Sequence, residues 1–419
     1  MTAAAPEAMR MDAYRSWQEI RHRKAPEGLS SQDWWLGIKM HRAQARQVLS
    51  LCGTQGKAFS FASSSMMQQL LHEVDLRGGG MVMTDAQSVL NPVERDKYLL
   101  TSIVEESISS SMLEGAVVTR SEARELLRTN RQPHNEHERM VINNYRTMQM
   151  ILRCKDEPLT PELILTLHRS MVEGTLEDES RAGELRSESD RVCVAEVSSG
   201  EVIHRPPAAK ELPERLKNLC RFANGELDNG YIHPVVRAIV LHFMLAYDHP
   251  FVDGNGRTAR SLFYWGMLHA GYHLFEFISI SREIYRHSRS YYEAFLNTEE
   301  DDNDLNYFII DQLKTILQSI EGLVRHVCDK QKSRDRLSLA LRAYPSLNHR
   351  QKALLLHLLQ HPQVFTTVTM HGKEYQVVKQ TARTDLNHLV ELGLLHSELV
   401  SREIRYSAVS DLENRLSAL

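Results

Sequence analysis

The run HPFVDGNGRTAR, His249 to Arg260, gathers a histidine, an aspartate, two glycines and two arginines into one short stretch. Pro250 biases the residue before it away from helical backbone, so a helix ahead of the run should end at His249 and leave its imidazole on a loop. Gly254, Asn255 and Gly256 can take positive φ and turn successive N–H groups inward, an anion-binding nest directly before a new helix. Arg257 and Arg260 sit three apart on one face of the first turn of that helix, where the macrodipole disfavours cations. Such a placement is unfavourable unless an anion lies among them. Asp253, beside the nest, is a hard oxygen ligand suited to Mg²⁺ bridging phosphates. His249 has an ordinary pKa near neutrality and is suited to take a proton from an incoming hydroxyl. The residues together describe a phosphate site with a base beside it.

Other phosphate and cation motifs do not fit. No GK[ST] follows the glycines, and Thr258 and Ala259 supply no third glycine, so the run is neither a P-loop nor a dinucleotide fingerprint. Asp248 and Asp253 lack EF-hand spacing, and the terminal glutamate is absent. The cluster HNEHE, His134 to Glu138, lacks HExxH spacing and reads as a solvated helix start.

Outward from the run, HPVVRAIVLHFMLAY before it and RTARSLFYWGMLHAGY after it read as helices, and helical periodicity dominates to about residue 340. Asp33 to Leu51 reads as a helix ending at Gly53, and FSFASSSMMQQLLHEVDLRGGG as a second closed by Gly78 to Gly80. Leu99 to Gly115, LLTSIVEESISSSMLEG, has Ile103, Ile108 and Met112 near one face and stops at a glycine. SEARELL, NEHERMVINNYRTMQMIL and TPELILTLHRSMVEG follow as helices, the last with Pro161 at its start. RVCVAEV and EVIHR flank SSG and read as a hairpin turning near Ser198 to Gly200. EEDDND, Glu299 to Asp304, reads as a solvated loop or helix cap.

From about Tyr344 the order is helix, helix, then strands, that of a winged helix-turn-helix, with TARTDLNHLVELG as the recognition helix. Lys379 and Arg383 on that helix, and Arg402 and Arg405 in the wing, are candidates to face DNA. Yet eight Lys/Arg against seven Asp/Glu from Pro345 to Leu419 leave a net of +1, a poor electrostatic footprint for DNA. Protein contacts, including a homodimer, fit that balance as well.

The 419 residues allow two or three domains, and 42% apolar and 25% charged residues are ordinary for a globular chain. A net charge of −4 points to neither wholesale nucleic-acid binding nor a polybasic membrane anchor. Five scattered cysteines without a CxxC pair argue against a disulfide framework or a structural zinc. The N-terminus lacks the apolar core of a signal peptide and no stretch is apolar for long enough to span a bilayer, so a cytoplasmic location is expected.

HPFVDGNGRTAR resembles the HPFx[DE]GNGRxxR motif of the Fic family at every defining position, and the flanks, among them TPELILTLHRSMVEG, RAGELR and RPP, agree with that family over roughly residues 100 to 310. The resemblance implies a mainly α fold: an N-terminal helical region (1–97), a Fic catalytic core with a short β-hairpin flap (98–335) and a winged-helix domain (344–419). It implies transfer of AMP from ATP to a Tyr, Thr or Ser hydroxyl of a protein, the chain itself included, with release of pyrophosphate. His249 would be the base, Asp253 would hold Mg²⁺, Gly254, Asn255 and Gly256 would form the anion hole, and Arg257 and Arg260 would clamp the phosphates. The hairpin would be the flap on which an extended segment of the target docks.

Upstream, SSMLEG, Ser110 to Gly115, resembles the family's inhibitory [ST]xxxE[GN] helix. Glu114 would then pair with Arg260 and draw it from the γ-phosphate. The same glutamate is a candidate to position water for removal of AMP from a modified target. A different class of function remains open, a DNA-binding regulator with a nucleotide-sensing Fic core.

Overall fold

A computed structural model describes residues 14–78, 92–129, 131–195, 202–227, 230–343, 346–360, 364–400 and 403–417. Contacts within the chain divide it into two compact units, 1–323 and 324–419. The fold is mainly α with a few short strands, as expected.

In the first unit, α1 (Trp17–Ile20) and α2 (Ser31–Gln44) precede a hairpin of β1 (Arg46–Cys52) and β2 (Ala58–Ala62). Both strands correct the sequence reading, which extended helices across them. Helix α2 ends at Gln44, and the chain then runs extended to the turn at Gly53 to Gly56, so that Leu49, Leu51, Phe59 and Phe61 enter the core from a pleated surface. A period-2 pattern this short is hard to separate from a helical one by periodicity alone.

There follow α3 (Ser65–Gly78), α4 (Pro92–Leu113), α5 (Arg120–Thr129), α6 (Glu136–Cys154) and α7 (Pro161–Val172). Pro161 does sit at the start of α7, where Thr160 caps the helix by accepting from Leu163 N. Strands β3 (Val194–Ala195) and β4 (Val202–His204) pair antiparallel, Val194 with His204. The expected turn at Ser198 to Gly200 lies outside the described residues.

Helices α8 (Leu212–Ala223), α9 (Pro234–Asp248), α10 (Asn255–His269), α11 (Ile280–Arg286) and α12 (Ser288–Glu300) complete this unit with the first part of α13 (Asn306–Ala343). Helix α9 is apolar over most of its surface: Val235, Val236, Ile239, Val240, Phe243 and Leu245 are all buried, so it forms the centre of the core. Helix α10 packs beside it with Leu262, Phe263, Trp265 and Met267 inside. The HPFVDGNGRTAR loop joins these two helices, and the core that fixes them fixes the loop.

Two polar stretches also depart from the sequence reading. In EEDDND, Asp301 and Asp304 are buried, not solvated. Tyr14 donates to Asp304 at 2.5 Å, Arg46 pairs with it at 3.2 Å, and Lys39 pairs with Asp301 at 2.6 Å. Asn303 O accepts from Ser60 N, and Leu305 N donates to Ser60 O, so the stretch is laced to β2. Cations and a sheet edge distant in sequence offset the desolvation of the carboxylates. In HNEHE, Glu138 is buried, accepting from His134 N and pairing with Arg131 at 2.6 Å.

The second unit contains α14 (His349–Gln360), β5 (Phe365–Thr367), α15 (Val368–Glu374), α16 (Lys379–Glu391), β6 (Leu395–Val400), β7 (Glu403–Ala408) and α17 (Leu412–Ser417). Its sheet has the order β5-β7-β6, and Leu354, Leu355, Leu358, Leu386, Leu389 and Tyr406 form its core. Strand β5 and the seven-residue helix α15 are not expected from sequence, since each is too short to show a period. Lys379, Arg383 and Arg405 are exposed, with the Arg405 guanidinium 4.3 Å from the centroid of the Phe365 ring. Arg402 lies outside the described residues.

Candidate active site

His249 caps α9, as Pro250 leads one to expect, but at φ 44° and ψ 56° rather than in an extended conformation. A left-handed non-glycine residue ahead of a proline is strained and must be held by its surroundings. Arg186, buried, does this. Its Nε donates to His249 O at 2.9 Å, its Nη2 donates to Pro207 O, and its backbone N–H donates to Pro250 O at 2.9 Å. Beyond its place at the end of RAGELR, nothing near Arg186 in sequence announces this role.

The His249 ring places Nδ1 at 3.2 Å from Ala246 O. That carbonyl only accepts, so the proton belongs on Nδ1 and Nε2 carries the free lone pair. Burial lowers the pKa of His249, while the Ala246 carbonyl and the Glu114 charge act in the opposite sense. Burial thus favours the neutral ring, with Nε2 as its free acceptor.

The loop between the helices is closed by its own residues. Asn255 accepts from Phe251 N and donates to Phe251 O, both at 2.9 Å. His168, which the sequence reading passed over, stacks on Phe251 with centroids 3.7 Å apart, accepts from Gly183 N and donates to Asp253 O at 2.9 Å. Burial brings its pKa down to about 4, so it serves as a neutral strut.

Of the three proposed nest residues only Gly254 has a positive φ, 77°. Gly256 is already helical, and its lack of a side chain serves a different end: a Cβ there would lie 2.1 Å from Glu114 Oε1. Gly254 is the N-cap of α10, so the first N–H groups of the helix lack intrahelical partners and face this same region.

The two arginines part company. Helix α10 begins at Asn255, which puts Arg257 in its first turn and Arg260 in its second, correcting the expectation that both lie in the first. Arg257 is wholly buried, donating to Met171 O at 3.3 Å and to Asp253 Oδ2 at 2.9 Å. Arg260 reaches back to α4: Nε donates to Ser110 Oγ, and Nη2 to both Ser110 O and Glu114 Oε1, each at 2.9 Å. Ser110 is buried and the Glu114 side chain is 30% exposed.

Residues 158–266 match the model of the Fic/DOC family. The chain carries a Fic domain. Over 200 residues it is 29% identical to a protein named protein adenylyltransferase Fic from Drosophila mojavensis, covering 45% of this chain and 35% of that one. A relative of the same name from Drosophila persimilis is 26% identical over 241 residues, 54% of this chain and 44% of the other. The chain therefore spans less than half the length of these curated relatives. A solved Fic family protein from Desulfovibrio desulfuricans G20 superposes with a TM-score of 0.56 at 17% identity, covering 84% of this chain and 98% of that chain, and shares its fold.

Within the Fic domain, Asp253 fits a magnesium ion in chemistry and position. Its carboxylate is 53% exposed and only Oδ2 is engaged, which leaves a hard oxygen donor facing solvent, while the helix N-terminus alongside would receive the phosphates rather than the ion. Among the described residues no three His, Cys, Asp or Glu side chains gather into a metal site. An ion held by one carboxylate would take its remaining ligands from phosphates and water, as Mg²⁺ commonly does.

Proposed function

We propose that the chain is a protein adenylyltransferase that transfers AMP from ATP to a Tyr, Thr or Ser hydroxyl, releases pyrophosphate, and is held inactive by Glu114. The observation that carries this reading is the convergence, at one helix N-terminus, of a neutral histidine base, an exposed carboxylate and an arginine engaged by a distant glutamate.

In this reading His249 Nε2 takes the proton of the target hydroxyl as its oxygen attacks the α-phosphorus. The N–H groups at the start of α10, opened by Gly254 and Gly256, hold the phosphoryl oxygens where charge develops. Bound at Asp253, Mg²⁺ would supply positive charge to the α- and β-phosphates. Arg257, buried and engaged by Asp253 and Met171, is assigned to hold that carboxylate in place rather than to grip the phosphate tail. Arg260 is the guanidinium for the γ-phosphate, and Glu114 occupies it.

The β3–β4 hairpin is assigned to docking an extended target segment by strand addition. His204 supports this by tying β4 to the end of α9, with Nε2 at 2.7 Å from Tyr247 O. We assign residues 98–335 to the catalytic domain, 1–97 to a helical region buttressing it, and 344–419 to a winged-helix domain for protein contacts, with a cytoplasmic location. No described helix is long and apolar enough to cross a membrane.

Self-labelling with radiolabelled ATP tests the assignment. Glu114→Gly is expected to raise incorporation well above wild type, and His249→Ala in that background to lower it by roughly 10²- to 10⁴-fold. Equal labelling by both variants overturns it. Loss of AMP from pre-labelled protein on adding wild-type chain would extend the reading to AMP removal.

A further inference from the structure

The carboxylate of Glu106, two turns before Glu114 on α4, is only 2% exposed. It accepts from Tyr264 OH at 2.7 Å, Ser279 Oγ at 2.8 Å, Ser281 N at 3.1 Å and Ser281 Oγ. Among the described residues no cation forms an ion pair with it. A buried carboxylate met only by neutral donors is costly to place, and it tolerates few alternative positions because every donor must stay aligned.

The partners of α4 on α10 follow a register. Glu106 meets Tyr264, Ser110 meets Arg260, and Glu114 lies against Gly256 and Arg260. Each step is four residues forward on α4 and four back on α10, so the two helices run as an antiparallel ladder with one face of each engaged. Of the other residues of that stretch, Ile108 is buried in a separate apolar cluster with Val118, Ala123 and Val141, and Glu105 pairs with Arg124 at 2.8 Å. Ser107, Ser109, Ser110 and Ser111 are all buried and small, and Ser107 and Ser111 turn their hydroxyls back onto their own helix, to Ile103 O and Ser107 O. A one-residue slip of α4 moves each side chain by about 1.5 Å along the axis and about 100° around it, which would take Glu114 off Arg260. Such a slip would break the rung at Glu106, whose bonds to Ser279 and Ser281 also tie the same helix to the start of α11.

We propose that Glu106 is a positioning residue for inhibition: it fixes the register of α4 against α10 and so delivers Glu114 to Arg260. The inference rests on the reading of Glu114 as the inhibitor. Glu106 touches neither the cradle nor His249, and acts only through the helix it anchors.

The experiment measures self-labelling with ATP by the full chain in wild type, Glu106→Ala, Tyr264→Phe, Glu114→Gly and Glu106→Ala/Glu114→Gly, with thermal unfolding of each. Tyr264→Phe keeps the ring and removes the rung, and so serves if Glu106→Ala does not fold. Glu106→Ala and Tyr264→Phe are each expected to raise labelling, on the order of tenfold, as loss of a charged hydrogen bond allows. Adding Glu106→Ala to Glu114→Gly is expected to give no further rise, because the contact it positions is already gone. A purely structural role would instead lower melting temperature and labelling in both backgrounds. Wild-type labelling in folded Glu106→Ala and Tyr264→Phe, beside an activated Glu114→Gly, overturns the inference alone. Failure of Glu114→Gly to activate overturns the inhibitory reading, and this inference with it.

Discussion

Arg257 and Arg260 are three residues apart on one helix, both are buried, and both are bound to a carboxylate, yet they are held in opposite ways. Arg257 closes a local circuit: its partners are Asp253, four residues earlier, and Met171 at the end of α7. Arg260 is bound by Ser110 and Glu114, roughly 150 residues upstream, on a helix whose contact surface is largely serine. The first pair is part of the frame: Arg257 is wholly buried, and its partners lie in its own loop and at the end of α7. The second is a contact between separate helices that a phosphate could replace on Arg260, leaving Glu114 to water. In the proposed function, the motif holds a structural bond and an exchangeable one in adjacent turns.

The strongest test of this contrast is functional. Arg260→Ala in the Glu114→Gly background should cost AMP transfer about 100-fold or more, as loss of a guanidinium on a transferring phosphate typically does, with unfolding little changed. Unaltered single-turnover rates would show that Arg260 is not the phosphate ligand.

A smaller effect, on stability, should mark the other side of the contrast. Asp253→Ala leaves the Arg257 guanidinium buried without its carboxylate, and because Asp253 is half exposed the loss should be about 2 kcal/mol rather than the full cost of breaking an enclosed pair. Glu114→Gly should be milder, measured by denaturant unfolding of both. A greater loss from Glu114→Gly would reverse the assignment of frame and exchangeable contact.

The smallest effect is a pH shift. Burial holds His249 below its ordinary pKa, so the neutral base should persist into mildly acidic solution, and activity should fall only as pH drops through the lowered value. The Glu114 charge favours the imidazolium. Removing it should therefore lower the pKa of His249 further, and NMR titration of the ring in Glu114→Gly should show a more acidic midpoint than in wild type. A midpoint moved upward would mean that Glu114 and His249 do not share the site as described.

The acidic stretch Glu299 to Asp304 shows why some of the molecule was illegible from sequence. Its composition is that of a solvated cap, and Asp302 behaves partly so, at 43% side-chain exposure with Lys39 and Lys57 as partners. Asp304, two residues on, is fully buried because Tyr14 and Arg46 are brought to it from the start of the chain. Nothing near Asp304 in sequence announces those partners. The strands at 46–52 and 58–62 were missed for a related reason: their pattern takes meaning only from the core they face.

What the sequence determined is what depends on neighbours within a turn or a loop. The helix end at Pro250, the left-handed position at Gly254, the start of α10 and the proline that opens α7 each follow from backbone sterics and local donors. The family motif added the residues that meet around that helix start. Tertiary structure alone decided the rest: that Arg186 holds His249 in a strained conformation, that Arg257 and Arg260 face different partners, and that Glu106 and Glu114 climb the same face of α10. Those outcomes turn on pairing buried charge between segments 60 to 160 residues apart, and the energy of burying a charge is set by whatever the fold brings to it.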